Sequence, residues 1–112
     1  MEYTTEQNGK VTVFQVRGQL DAVTSQELNQ AVMQSIASGA AKLVFDLAAL
    51  SYTSSAGLRV FISATQAARK QKGDVCIAAV RPEVAKVFAL SGLDSMIKLF
   101  PDVPSAVQNF LY

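Results

Sequence analysis

The sequence has no histidine and no tryptophan, and only one cysteine and three prolines in 112 residues. Without histidine the usual zinc-ligand sets are missing, and so is the general base of a Ser-His-Asp triad. A lone Cys76 leaves no internal disulfide to form. Charged residues are few, 17% with a net charge of +1, so there is no basic stripe for nucleic acid or for an anionic membrane. No stretch approaches the roughly 18 apolar residues of a membrane span. The opening Met1-Glu2-Tyr3-Thr4-Thr5-Glu6 lacks the basic start and apolar run of an export signal, so a cytoplasmic protein is expected. Neither Gly-x-x-x-x-Gly-Lys nor Gly-x-Gly-x-x-Gly occurs, which argues against an NTPase or a dinucleotide enzyme, and no cofactor is expected.

What is present is apolar and regularly patterned. Half the residues are apolar, enough for one core without covalent staples, and residues 1–112 read as one domain. Asn8-Gly9 lies between Tyr3-Thr4-Thr5 and a β-branched run from Val11 to Arg17, which predicts an opening hairpin with Thr12, Phe14 and Val16 on one face. Gly18-Gln19-Leu20-Asp21 ends that strand. Thr24 or Ser25 then caps a helix carrying Leu28, Ala31, Val32 and Ile36 at helical spacing, with Gly39 as its stop.

Leu43-Val44-Phe45 reads as a strand covered on both faces, ending in Asp46, and a loop leads to Thr53-Ser54-Ser55-Ala56-Gly57-Leu58-Arg59. A second helix begins there, with Leu58, Phe61, Ile62 and Thr65 on one stripe, and Gly73-Asp74 closes it. Val75 to Val80 is another buried strand. Pro82 opens a helix with Val84, Val87 and Phe88, and Ser91-Gly92-Leu93 has the form of a glycine C-cap. Ile97 to Phe100 is a last short strand, and Asp102 caps a terminal helix with Ala106, Val107 and Phe110. Strands alternating with helices imply an α/β fold: a mixed, mostly parallel sheet with an N-terminal β-hairpin and about four packed helices.

Three stretches, in order and at fitting distances, resemble the STAS domain of anti-sigma-factor antagonists. They are Gly18-Gln19-Leu20-Asp21, Phe45-Asp46-Leu47 followed by Ser54-Ser55-Ala56-Gly57-Leu58, and Val87-Phe88-Ala89-Leu90-Ser91-Gly92-Leu93. The resemblance implies partner switching in transcription regulation. An unmodified antagonist binds an anti-sigma-factor serine kinase, is released when that kinase phosphorylates one serine, and is reset by a serine phosphatase. Anchored on Gly57-Leu58, the phosphorylated serine falls on Ser55. Many relatives carry an acidic residue where this chain has Ser54, so Ser54 is a rival acceptor. The resemblance also places Asp21 near the site and implies a partner-binding surface of Asp21, Thr53, Ser54, Gly57, Leu58 and Arg59, with Asp46 orienting the loop before it.

Each of these residues also has a plain structural reading. Ser55 or Ser54 can be an N-cap, Asp46 can cap a turn, Asp21 can simply begin the helix capped around Thr24, and Arg59 can be a solvated charge. Gly57 can serve close packing. Arg69, Lys70 and Lys72 suit a helix C-terminus, and Cys76, Phe14, Phe45, Phe61 and Phe88 suit the core. The nucleophile elbow Gly-x-Ser-x-Gly is not met, because Thr53 stands two residues before Ser55, so a non-enzymatic module is expected. An alternative within the same family is an unphosphorylated structural subunit of a larger assembly, such as a lipid-transport ABC complex.

Overall fold

The computed structural model describes residues 1–111. The chain runs β1 (Glu2–Asn8), β2 (Val11–Leu20), α1 (Ala22–Ala37), β3 (Lys42–Asp46), β4 (Leu50–Thr53), α2 (Ser55–Lys70), β5 (Asp74–Ala78), α3 (Pro82–Ser91), a 3-10 turn (Leu93–Ser95), β6 (Lys98–Phe100) and α4 (Val103–Asn109). The sheet has six strands in the order β1-β2-β3-β5-β6, and β4 pairs with the far end of β2. Only β1 and β2 are antiparallel; every other pairing is parallel. The expected mixed sheet with an opening hairpin and four helices is therefore the observed one.

The central strands carry apolar side chains on both faces, and each face is covered. Phe14, Val16, Leu43, Phe45, Val75 and Ile77 pack beneath α1, α2 and α3. Four phenylalanines continue that layer: Phe14, Phe45, Phe61 and Phe88 follow one another with ring centroids 5.8, 5.0 and 5.8 Å apart. All four are fully buried, and each such ring contributes about 1.5 to 3 kcal/mol by leaving water. Val11, Val13, Val44, Cys76 and Ala78 point the other way, where α4 alone covers them with Ala106 and Val107. Cys76 is thus core, as its apolar setting implied, and its Sγ accepts a bond from Asn109 Nδ2 at 3.4 Å.

Several boundaries differ from the sequence expectations. The hairpin turns on Gly9-Lys10, because Asn8 is still paired, with Val11, and Gly9 takes the positive φ of 62° that a glycine supplies at the first turn position. Helix α1 is capped by Asp21; Thr24 is the third helical residue and Ser25 is buried inside the helix. The segment after Asp46 is not all loop, since Leu50–Thr53 forms β4 against Gly18–Leu20 of β2. The left-handed residue that closes α2 is Lys72 at φ 63°, one before Gly73. Strand β5 stops at Ala78, because Ala79 turns to φ 59°, and β6 starts at Lys98. Gly92 ends α3 in the left-handed region with Leu93 buried behind it, the expected arrangement.

Candidate functional site

Strand β2 pairs with β3 along its first half and with β4 along its last three residues. Leu20 and Thr53 are register partners, so β2 and β4 end side by side. Each strand runs straight into an N-cap, Asp21 after Leu20 and Ser54 after Thr53, and each cap opens a helix of 16 residues. Ser54 N–H donates to the Leu20 carbonyl at 2.8 Å and ties the two junctions together. Two parallel helices therefore start at one corner of the molecule, and their exposed first-turn amides leave that corner electropositive.

The two junctions are finished differently. Asp21 Oδ1 accepts from Thr24 N–H at 2.8 Å, and Asp21 N–H donates back to Thr24 Oγ1 at 2.9 Å, a reciprocal capping box. The Thr24 backbone N–H, and after it the Thr24 hydroxyl donating to the same Oδ1 at 2.9 Å, hold the Asp21 carboxyl below its ordinary pKa, because both bonds favour the charged form. At α2 the cap is Ser54, whose Oγ accepts from Gly57 N–H at a long 3.3 Å. Ser55 is the first helical residue and is exposed. The capping role that Ser55 could have taken thus belongs to Ser54, and the Ser55 hydroxyl is left facing solvent.

Thr53 and Gly57 support that corner from below. Thr53 is 5% exposed and its Oγ1 donates to the Ser54 carbonyl at 3.1 Å. A Cβ at Gly57 would overlap Thr53 Oγ1 and come within 3.0 Å of Leu20 Cβ, so only glycine lets the helix start this close to the strand ends. Leu58 packs partly buried against the core. Arg59 is exposed and makes no ion pair among the described residues. Val23 in the first turn of α1 and Tyr52 beside Thr53 are unusually exposed apolar side chains, at 68% and 50%.

Asp46 lies at the end of β3, and its Oδ1 accepts from Ala48 N–H at 3.1 Å, a turn within the loop that leads to β4. Arg81, which the sequence did not single out, holds the same loop from outside, with its Nε donating to the Ala48 carbonyl at 2.9 Å. Its signal would have been a cation just before a helix-opening proline. Ser25 is the other residue missed. It falls on the stripe of Leu28, Val32 and Ile36, and a hydroxyl on an apolar stripe is the mark that could have drawn attention to it. At the far end of α2, Arg69 pairs with Asp74 at 3.0 Å and donates to the Met96 carbonyl, a structural tie remote from Ser55.

No helix among the described residues is long and apolar enough to cross a membrane. The chain is 27% identical over 106 residues to the anti-sigma-F factor antagonist RsfB of Mycobacterium tuberculosis, covering 95% of this chain and 86% of the relative. The crystal structure of an anti-sigma factor antagonist from Mycobacterium paratuberculosis superposes with a TM-score of 0.88 at 29% identity, covering 96% and 92% of the two chains. The Bacillus cell fate determinant SpoIIAA in its phosphorylated form shares the fold with a TM-score of 0.77 at 19% identity, covering 97% and 99%. The family profile of the STAS domain matches residues 2–106, which span both helix starts and the sheet beneath them; the chain belongs to the STAS domain family.

Proposed function

We propose that this chain is an anti-sigma-factor antagonist that works by partner switching, with Ser55 as the phosphorylated residue. RsfB and the Mycobacterium paratuberculosis protein, its relatives by sequence, carry that function in their names, and SpoIIAA of the same fold exists in a phosphorylated form. The observation that carries the reading is the division of labour at α2. Ser54 supplies the cap, so Ser55 offers an uncommitted, exposed hydroxyl at a helix start.

In the unmodified state the corner formed by Asp21, Thr53, Ser54, Gly57, Leu58 and Arg59 docks an anti-sigma-factor serine kinase. Phosphorylation adds about 1.5 to 2 negative charges at Ser55. The helix dipole favours that charge within the free protein, by about 0.3 to 1 kcal/mol for a surface anion. A packed interface does not, because the dianion must be desolvated against the partner. Breaking a buried polar contact there costs about 2 to 5 kcal/mol, a loss of tens to thousands of fold in affinity. A serine phosphatase acting on the released form restores the first state, and the cycle runs in the cytoplasm. The chain itself acts as substrate and ligand, not enzyme. The carboxylates of the two strand ends are already engaged, Asp21 by Thr24 and Asp46 by Ala48.

Incubation with the cognate kinase and ATP, followed by mass spectrometric mapping, tests the proposal. One phosphate at Ser55 is expected. Label confined to Ser54, or no label with stable co-purification of a transporter ATPase, overturns it.

A further inference from the structure

A cleft of about 340 Å³ opens between the first turns of α1 and α2, with Ala56, the neighbour of Ser55, on its wall. Its polar lining comes from Ser25, Gln26, Asn29, Ser63 and Arg59, and Arg59 is the only charged residue among the lining side chains. Ser25 is 3% exposed, and its Oγ has no hydrogen-bond partner. A buried hydroxyl without a partner is a standing cost to the fold, relieved when a ligand in the cleft bonds to it. The guanidinium of Arg59 is equally uncommitted, with no ion pair among the described residues.

These features specify the chemistry of an occupant. One fixed positive charge, neutral hydroxyl and amide donors and no competing acid suit a single anion. A guanidinium binds a planar carboxylate through two parallel bonds. Val60 and Ala56 supply apolar surface for the methylenes behind such a group. The cleft is continuous with the corner proposed to dock the kinase, so the carboxylate would be borne on that partner.

Arg59 has a second suitor. It stands four residues after Ser55 in α2, and an anion at position i with a cation at i+4 is the favourable order on a helix surface. We propose that the α1–α2 cleft receives one Asp or Glu side chain of the docking partner, held by Arg59 and Ser25, and that phosphate on Ser55 draws Arg59 away from it and so loosens its hold. This rests on the partner-switching reading and adds to it: phosphorylation weakens an attractive contact as well as introducing repulsion.

The test uses the full chain and sodium acetate as the carboxylate probe, with sodium chloride matching the ionic strength. The 15N spectrum should show saturable shifts at Arg59 Nε–H and Ser25, while Arg81, another exposed arginine, stays at the chloride baseline. Arg59→Gln should weaken acetate about tenfold, the value of a charge-assisted contact. Ser25→Ala should also weaken acetate while leaving the melting temperature unchanged or higher, a combination that a purely structural role for Ser25 does not give. With phosphoserine encoded at position 55, acetate should bind about twofold more weakly, and the phosphate's second pKa by 31P titration should lie about 0.15 to 0.4 unit below that of the same protein carrying Arg59→Gln. Acetate shifts equal at Arg59 and Arg81, or a phosphate pKa indifferent to Arg59, would overturn the inference. Because the phosphoserine is encoded, the result needs no kinase. A kinase that ignores Ser55 would remove the functional reading and leave the cleft measurement standing.

Discussion

Helices α1 and α2 have the same length, begin at adjacent strand ends and run side by side, yet their first turns are built to opposite ends. At α1 a charged cap and a reciprocal threonine lock the start. At α2 one long serine bond does the capping and the next hydroxyl is left over. Capping chemistry satisfies backbone donors, and a hydroxyl or carboxyl committed to it is no longer free for a modifying enzyme to use. The contrast separates a fully capped helix start from one with a hydroxyl to spare, although both starts carry hydroxyl residues that look equivalent in sequence.

The contrast is broken most severely at Ser55 itself. Ser55→Glu should weaken binding of the kinase by about 2 to 5 kcal/mol in titration calorimetry, tens to thousands of fold, whereas Ser55→Ala should bind and never be released by ATP. Equal affinities for the two variants would mean that charge at this position is not the switch. Gly57→Ala comes next, because its methyl must displace Thr53 or Leu20; a stability loss of about 1 to 3 kcal/mol is expected from urea unfolding, with the m-value unchanged.

The α1 start offers a smaller, pH-dependent effect. The Asp21 carboxyl sits below its ordinary value in the folded chain, so the folded state binds fewer protons than the unfolded one on the acid side. The stability it adds is complete above the unfolded value near 3.8 and fades as pH falls through the lower folded value. Asp21→Asn should flatten the acid limb of the melting-temperature profile between those two points. The smallest effect belongs to Ser54→Ala, about 0.5 to 1 kcal/mol for a single neutral cap. Loss of the Ser55 label in that variant would show that the two hydroxyls act together and would erase the distinction between them.

Much of the fold was readable because its elements are marked by strong local rules. The buried runs at Leu43–Phe45 and Val75–Ala78, proline at the start of α3, glycine at its end and Asp102 at the start of α4 all lie within a residue or two of where pattern and capping place them. Strand β4 was not readable. Leu50-Ser51-Tyr52-Thr53 has buried ends and an exposed middle, with no alternation to follow, and it is a strand only because β2 runs on past Gly18 to meet it. The cap of α1 was misplaced for a related reason. In Asp21-Ala22-Val23-Thr24 either end has capping chemistry, and the usual box has its hydroxyl first and its acid third; here the order is reversed. At α2 the adjacent serines are indistinguishable by type, and their division into cap and free hydroxyl is settled by which one has its backbone tied to Leu20.

The unequal covering of the sheet has one more consequence. Three helices protect one side of the sheet, while seven residues of α4 protect the other, and beneath them lies the sole thiol, pushed by burial up to about 11 and so almost wholly in its unreactive protonated form while α4 is seated. Alkylation of that sulfur therefore keeps time on how often the short helix lifts away. Labelling far faster than global unfolding would mean that the back of the molecule breathes while the corner holding Ser55 stays shut, so that the protein carries its own gauge of how independently its two sides open.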